Sequence, residues 1–236
     1  MIAPYPYRGV HGQVVQALGR RIVAGRTGPG GILDLDGLKE DLGVSRTAIR
    51  EALKVLAAKG LVDARPRRGT YVRPRSDWSM LDTDVLRWRF EDSVDDTFLG
   101  NLAEVRDIVE PAGAKLAAGR RTAGDLRLLE QTLAALEAAD ADLDVHNLVE
   151  LDLRFHSAVL AAAHNELLSR LEGVIETGLR ARDMLVHRAR RWNDLVPTHR
   201  PVLEAIRRQD AAAAEAAVRA LLDQAGRDLG ELRPGG

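Results

Sequence analysis

Two sets of residues in this 236-residue chain have the types and spacing to do chemistry. The first is Asp152-Leu-Arg-Phe-His156, a carboxylate and an imidazole at i and i+4, which a helix stacks on one face. Leu148, Val149 and Val159 fall one turn away on that side, so the pair points into the interior of a helical bundle. A buried polar pair needs a reason. Either the carboxylate accepts from the imidazole N–H and the two satisfy each other, or both serve a shared metal ion or ligand. The second set is Arg46, Thr47 and Arg50, with Lys54 beyond, on the face of a short helix opposite Ile49, Leu53 and Leu56. Polar and cationic side chains in the first two turns of such a helix can meet phosphates and base edges in a major groove.

The elements that must position the second set lie between Asp34 and Val72. Leu38 and Leu42 give one helix an apolar side, Asp36 is its expected N-cap, and Gly43 supplies the turn that Val44 plugs. Ser45 caps the next helix, which runs to Gly60. Residues 61–64 and 70–72 read as two short strands joined by the tight basic turn Arg65-Pro66-Arg67-Arg68-Gly69, a wing. The alternative is a solvated basic hairpin beside an ordinary helix pair. Upstream, Val14, Leu18 and Ile22 predict a helix from His11 to Ala24 that packs on this motif. Gly28-Pro29-Gly30-Gly31 breaks it, and Ile32, Leu33 and Leu35 read as a short strand or extended link.

Charge separates the two sets. Residues 1–75 hold 14 Lys and Arg against 6 Asp and Glu, and residues 76–236 hold 20 against 29, so a formal +8 and −9 underlie the net −1. A basic head on an acidic body places a polyanion partner at the N-terminal part alone. The chain has no cysteine, which excludes disulfides, thiolate zinc sites and cysteine nucleophiles and fits a reducing cytoplasm. No apolar stretch reaches the ~20 residues that span a bilayer, and no membrane partner is expected.

The first set needs a different frame. After residue 75, β-branched runs are scarce and helix formers dominate. Helices are predicted over 83–91, 94–119, 122–139, 145–163, 166–191, 199–208 and 211–229, with short connections suited to an antiparallel bundle. The predicted fold is therefore mostly α. It comprises a winged helix-turn-helix over 1–75, a linker and linker helix over 76–92, and an all-α domain over 93–236. Taken alone, His199 reads as a polar residue opening a helix, and Arg106 as a surface side chain pairing with Glu110 at i+4.

The segment DLGVSRTAIREALKVLAAKGLV followed by RPRRGTYV resembles the winged helix-turn-helix of the GntR family of bacterial transcription regulators. The resemblance implies that Arg46 and Arg50 engage the major groove of operator DNA and that Thr47 holds a phosphate. It places Ser45, Lys54, Arg67 and Arg68 at the same interface, with Gly69 letting the wing tip enter the minor groove. Ala48 stands where the family often has Pro. EVRDIVEP, DLRFHSAVL and HRPVLEAIRRQD are similar to the FCD type of effector domain found in the FadR subfamily. That similarity implies either a divalent ion, Zn or Mn/Ni, held by Asp152, His156 and His199, with Leu221 in place of a fourth, histidine ligand, or a metal-free polar pocket at the same residues. It also implies an effector site in which Arg106 binds a carboxylate, with Trp192 and Asn147 as further candidates. The linker SDWSMLDTDVLRW resembles that of sugar-acid regulators, including galactonate-type ones.

These readings converge on a cytoplasmic, homodimeric regulator that binds double-stranded operator DNA and releases it on binding a small carboxylate metabolite, a sugar acid or hydroxy acid. An enzyme is not expected, since there is no nucleophile elbow, no Gly-rich phosphate loop and no second carboxylate placed as a general base beside the histidine pair. Two alternatives stand beside it: a helical metal-dependent enzyme with a DNA-binding appendage, and a constitutive DNA-binding protein without an effector.

Overall fold

The computed structural model describes residues 9–92, 96–142, 144–188 and 195–230. The described residues form two compact units, one up to residue 92 and one from residue 96.

The N-terminal unit is built from α1 (Val10–Val23), α2 (Leu35–Leu42), α3 (Arg46–Ala58), β1 (Val62–Arg65), β2 (Gly69–Val72), a 3-10 turn (Arg75–Asp77) and α4 (Thr83–Asp92). Val14, Val15, Leu18 and Ile22 on α1 meet Ile49, Leu53 and Leu56 on α3 in one core, as their fourfold spacing predicts. Ser45 caps α3 by accepting from the Ala48 N–H at 3.2 Å, and Gly43 turns between α2 and α3 at φ 62. Asp34, not Asp36, caps α2. Its carboxylate accepts from the Asp36 N–H at 3.1 Å, so Leu35 is already helical and Asp36 sits in the first turn, where the helix dipole favours its charge. Ile32 alone keeps an extended pairing, a bridge to Tyr71. The strands pair antiparallel, Val62 opposite Val72 and Ala64 opposite Thr70.

The 76–92 segment packs into this unit. Trp88 is fully buried on α1, its indole N–H donating to Gln16 Oε1 at 2.6 Å, and its ring occupies space that a Cβ on Gly19 would enter at 2.5 Å. Lys59, at the end of α3, donates to both Asp82 and Asp84 at 2.7–2.9 Å and so ties the start of α4 to the helix that carries Arg46 and Arg50.

The second unit is all-α: α5 (Asp96–Arg120), α6 (Ala123–Ala141), α7 (Val145–Ala162), α8 (Glu166–Arg188), α9 (Leu195–Arg207) and α10 (Ala211–Gly230). Thr122 and Asp125 form a reciprocal capping box at the start of α6. α7 packs against α5, α6 and α8, and α10 against α5 and α9. The helix carrying His199 begins at Leu195 and not at His199, because Pro197 falls in the first turn, where a missing N–H costs nothing. His199 therefore lies inside α9, turned into the core at 1% exposure.

Candidate nucleic-acid interface and buried ligand site

Ser45, Arg46, Thr47, Arg50 and Lys54 are all exposed on α3, and Arg67, Arg68 and Gly69 form the exposed tip between β1 and β2. Gly69 has φ 85 and Arg67 φ 65, a left-handed turn that glycine adopts without strain. The Arg68 guanidinium lies 4.6 Å from the Tyr71 ring centroid and that of Arg65 5.4 Å, while the Tyr71 hydroxyl donates to Asp63 at 2.9 Å. An aromatic ring thus braces the basic tip. On α3 the cations are not equivalent. Arg46 Nη2 lies 2.7 Å from both carboxylate oxygens of Asp36, and Lys54 Nζ lies 2.7 Å from Glu51 Oε1. Arg50 makes no ion pair among the described residues.

The buried site gathers side chains from α5, α7 and α9. Asp152 Oδ1 lies 2.9 Å from His199 Nε2 and 3.8 Å from His156 Nε2, and one donor atom from each of the three residues falls within 4.8 Å of the others. All three are buried. The stacked pair at 152 and 156 therefore faces the interior, and the imidazole that answers Asp152 most closely comes from α9.

Glu110 is the residue that sequence reasoning passed over here. Its Oε2 lies 2.7 Å from His156 Nδ1, and its Oε1 accepts from Arg106 Nε at 2.5 Å. The pairing of Arg106 with Glu110 at i+4 is present but buried, at 5% and 2% exposure, and not on the surface. Glu110 therefore stands beside the histidine pair, tied to both His156 and Arg106. Only the i+4 spacing from Arg106 hinted at Glu110; its approach to α7 is a tertiary contact.

Electrostatics follow from that chain of charges. Burial works to raise the Glu110 pKa, but the Arg106 guanidinium and then His156 outweigh it and hold the carboxyl down to about 2. Burial likewise works to discharge His156, yet Glu110 and Asp152 outweigh it and its pKa rises above the ordinary value. Glu110 is thus a fixed anion with little basicity, unsuited to take a proton at neutral pH.

The donor set fits a single divalent ion with three protein ligands. His156 presents Nδ1 to Glu110 and leaves Nε2 on the side of Asp152, the arrangement in which an outer carboxylate fixes the tautomer and orientation of a ligating imidazole. Leu221 on α10 lines the same small cavity as Glu110 and His156, and its apolar side chain offers no donor. That cavity measures about 10 Å³, roughly the room of one water molecule. Asn147 is exposed in the first turn of α7, its N–H donating to Asp144, and it stands outside the buried cluster. Trp192 lies outside the described residues.

Residues 11–72 match the gntR family of bacterial regulatory proteins, and residues 101–224 match the FCD domain. The chain is 38% identical over 224 residues to a galactonate operon transcriptional repressor of Escherichia coli (strain K12), covering 93% of this chain and 96% of that protein. It is 32% identical over 207 residues to the HTH-type transcriptional regulator LutR of Bacillus subtilis (strain 168), covering 84% and 91% respectively. A further relative, 33% identical over 194 residues, is a putative L-lactate dehydrogenase operon regulatory protein of Escherichia coli (strain K12), at 78% and 72% coverage. Among solved structures, Streptococcus agalactiae GntR aligns over 92% of this chain and 99% of its own at a TM-score of 0.52 and 27% identity. No described helix is long and apolar enough to cross a membrane.

Proposed function

This chain belongs to the bacterial GntR regulators that carry an FCD domain and is a ligand-responsive, DNA-binding transcription regulator, and from that premise we propose that a small carboxylate metabolite, bound at the buried cluster, releases it from operator DNA. The observation that carries the proposal is the convergence of Arg106, Asp152, His156 and His199, all buried, from three helices of the domain. A charge-rich interior of this kind costs desolvation energy that packing alone does not require.

The relatives named for galactonate and L-lactate operons support a sugar acid or hydroxy acid as the metabolite. In this reading Arg106 supplies the planar fork that a carboxylate matches. Asp152, His156 and His199 hold one divalent ion, which when bound supplies positive charge to offset Asp152 and draw the oxygens of the acid. Glu110 orients His156. The cavity holds about one water, whereas ligand sites for small molecules span roughly 300–1,000 Å³. Binding such an acid therefore displaces lining residues, and that displacement is what gives the two states different affinities for DNA. The regulator works as a homodimer on near-palindromic sites, with α3 of each copy in a major groove.

The buried acid Glu110 speaks against an enzyme, because it is spent on Arg106 and His156 and held ionised. Calorimetry of the full chain with galactonate, lactate and related acids, with and without Zn²⁺ or Mn²⁺, tests the proposal. Saturable binding of an acid that also dissociates the protein from DNA is expected; no acid that does both would end the effector reading.

The metal assignment carries its own expectation. Leu221→His adds a donor to the cavity wall beside His156, so Zn²⁺ affinity rises by about tenfold or more. Competition against a chromogenic chelator reads this directly. Equal affinity in both proteins would place the ion, if any binds, away from Leu221.

A further inference from the structure

We infer that Asp36 is a specificity-determining residue for DNA, holding the Arg46 guanidinium so that isolated phosphates gain little from it. The inference rests on α3 being the DNA-reading helix. Both Asp36 oxygens stand 2.7 Å from Arg46 Nη2, and the pair is exposed at 66% and 64%. Asp36 itself is fixed, in the first turn of α2 with its N–H donating to the Asp34 cap.

A guanidinium held this way already has what a phosphate would offer. On DNA of arbitrary sequence, exchanging Asp36 for a backbone phosphate swaps one anion for another and leaves Asp36 facing a polyanion. The gain from counterion release is cancelled in part. Only a partner that adds geometry to charge, such as the paired acceptors on a guanine edge, repays the exchange. Arg50, with no ion pair among the described residues, carries no such restraint. The two arginines therefore divide the work: Arg50 contributes affinity on any duplex, and Arg46 discriminates among sequences.

The test uses the full-length protein, a random-sequence 30-base-pair duplex pool, and a duplex selected from that pool by the wild type. For Asp36→Asn we expect binding to the random pool to tighten about threefold, as release of an exposed ion pair allows. The slope of log affinity against log salt should steepen by about 0.9, one more phosphate neutralised. Preference for the selected duplex then falls, and Asp36→Ala behaves the same way. In an Arg46→Ala background the tightening shrinks to less than about half, leaving only the lessened repulsion between position 36 and the phosphates. If the tightening persists in full without Arg46, Asp36 acts by repulsion alone and the inference is overturned. It is overturned equally if Asp36→Asn changes nothing while Arg46→Ala weakens binding. Should Arg46→Ala leave both duplexes bound as before, the assignment of α3 to DNA fails instead.

Discussion

Glu110→Ala will destabilise the helical domain by about 3 to 5 kcal/mol, the cost of breaking a buried ion pair by removing one member. Glu110 is 2% exposed and is the counter-ion of Arg106, itself 5% exposed, as well as the acceptor for His156 Nδ1. Removing the carboxylate takes away the 2.5 Å ion pair of the Arg106 guanidinium and the acceptor at His156 Nδ1, so both groups lose an interaction that offsets their burial. The midpoint of the domain's thermal transition should fall by roughly 10 °C, on the scale of about 2–4 °C per kcal/mol for a chain of this length. An exposed pair on the same domain makes the contrast. Arg180, bonded to Glu150 and Glu176 but about two-fifths exposed, should cost no more than about 1 kcal/mol when changed to alanine. If Glu110→Ala melts like Arg180→Ala, water reaches the cluster and its electrostatics are those of a surface.

Arg50→Ala should lower affinity for selected and random duplexes alike, by roughly tenfold to a hundredfold, since a hydrogen bond to a charged group is worth about 1.5–3 kcal/mol. Arg50 is exposed in the second turn of α3 and makes no ion pair among the described residues, so its full charge is available to DNA. Stability should be untouched, because Ile49, Ala52 and Leu53 on the other face carry the packing. Arg46→Ala should cost less on random duplex, because Asp36 already engages that side chain. Fluorescence anisotropy on both duplexes, with melting curves as a check on folding, decides it. An Arg50→Ala protein that binds as tightly as the wild type would remove α3 from the interface.

The reading face was legible because its signals are local. Ser45, the Ile49-Leu53-Leu56 stripe, Gly60 and the basic turn before Gly69 each depend on neighbours within a few residues, and the folded unit contains the helix and hairpin they predict. The fourfold spacing of Asp152 and His156 was legible for the same reason. What escaped was set by tertiary contact. Glu110 meets His156 from a helix more than 40 positions away, and Asp36 meets Arg46 across a turn between helices. Neither approach leaves a periodic trace. The helix predicted over 199–208 starts four residues earlier, at Leu195, since Pro197 is tolerated in a first turn and Pro201 sits within the helix. Asp34 was passed over as a cap because Asp36 is an equally good candidate by type, and only backbone geometry separates them.

The most direct measurement is release of a fluorescent selected duplex from the full-length protein, titrated with whichever acid calorimetry identifies. Three proteins are compared: the wild type, Arg106→Lys and His156→Gln. Arg106→Lys keeps a charge opposite Glu110 but loses the planar fork, and His156→Gln keeps a hydrogen-bonding side chain but loses the imidazole. Both should bind the duplex as the wild type does and require at least about fivefold more acid to let it go, the shift expected when about 1–3 kcal/mol of coupling is lost. Release of DNA by both variants at the wild-type concentration of acid would contradict the account and leave the Arg106, Asp152, His156 and His199 cluster a structural one.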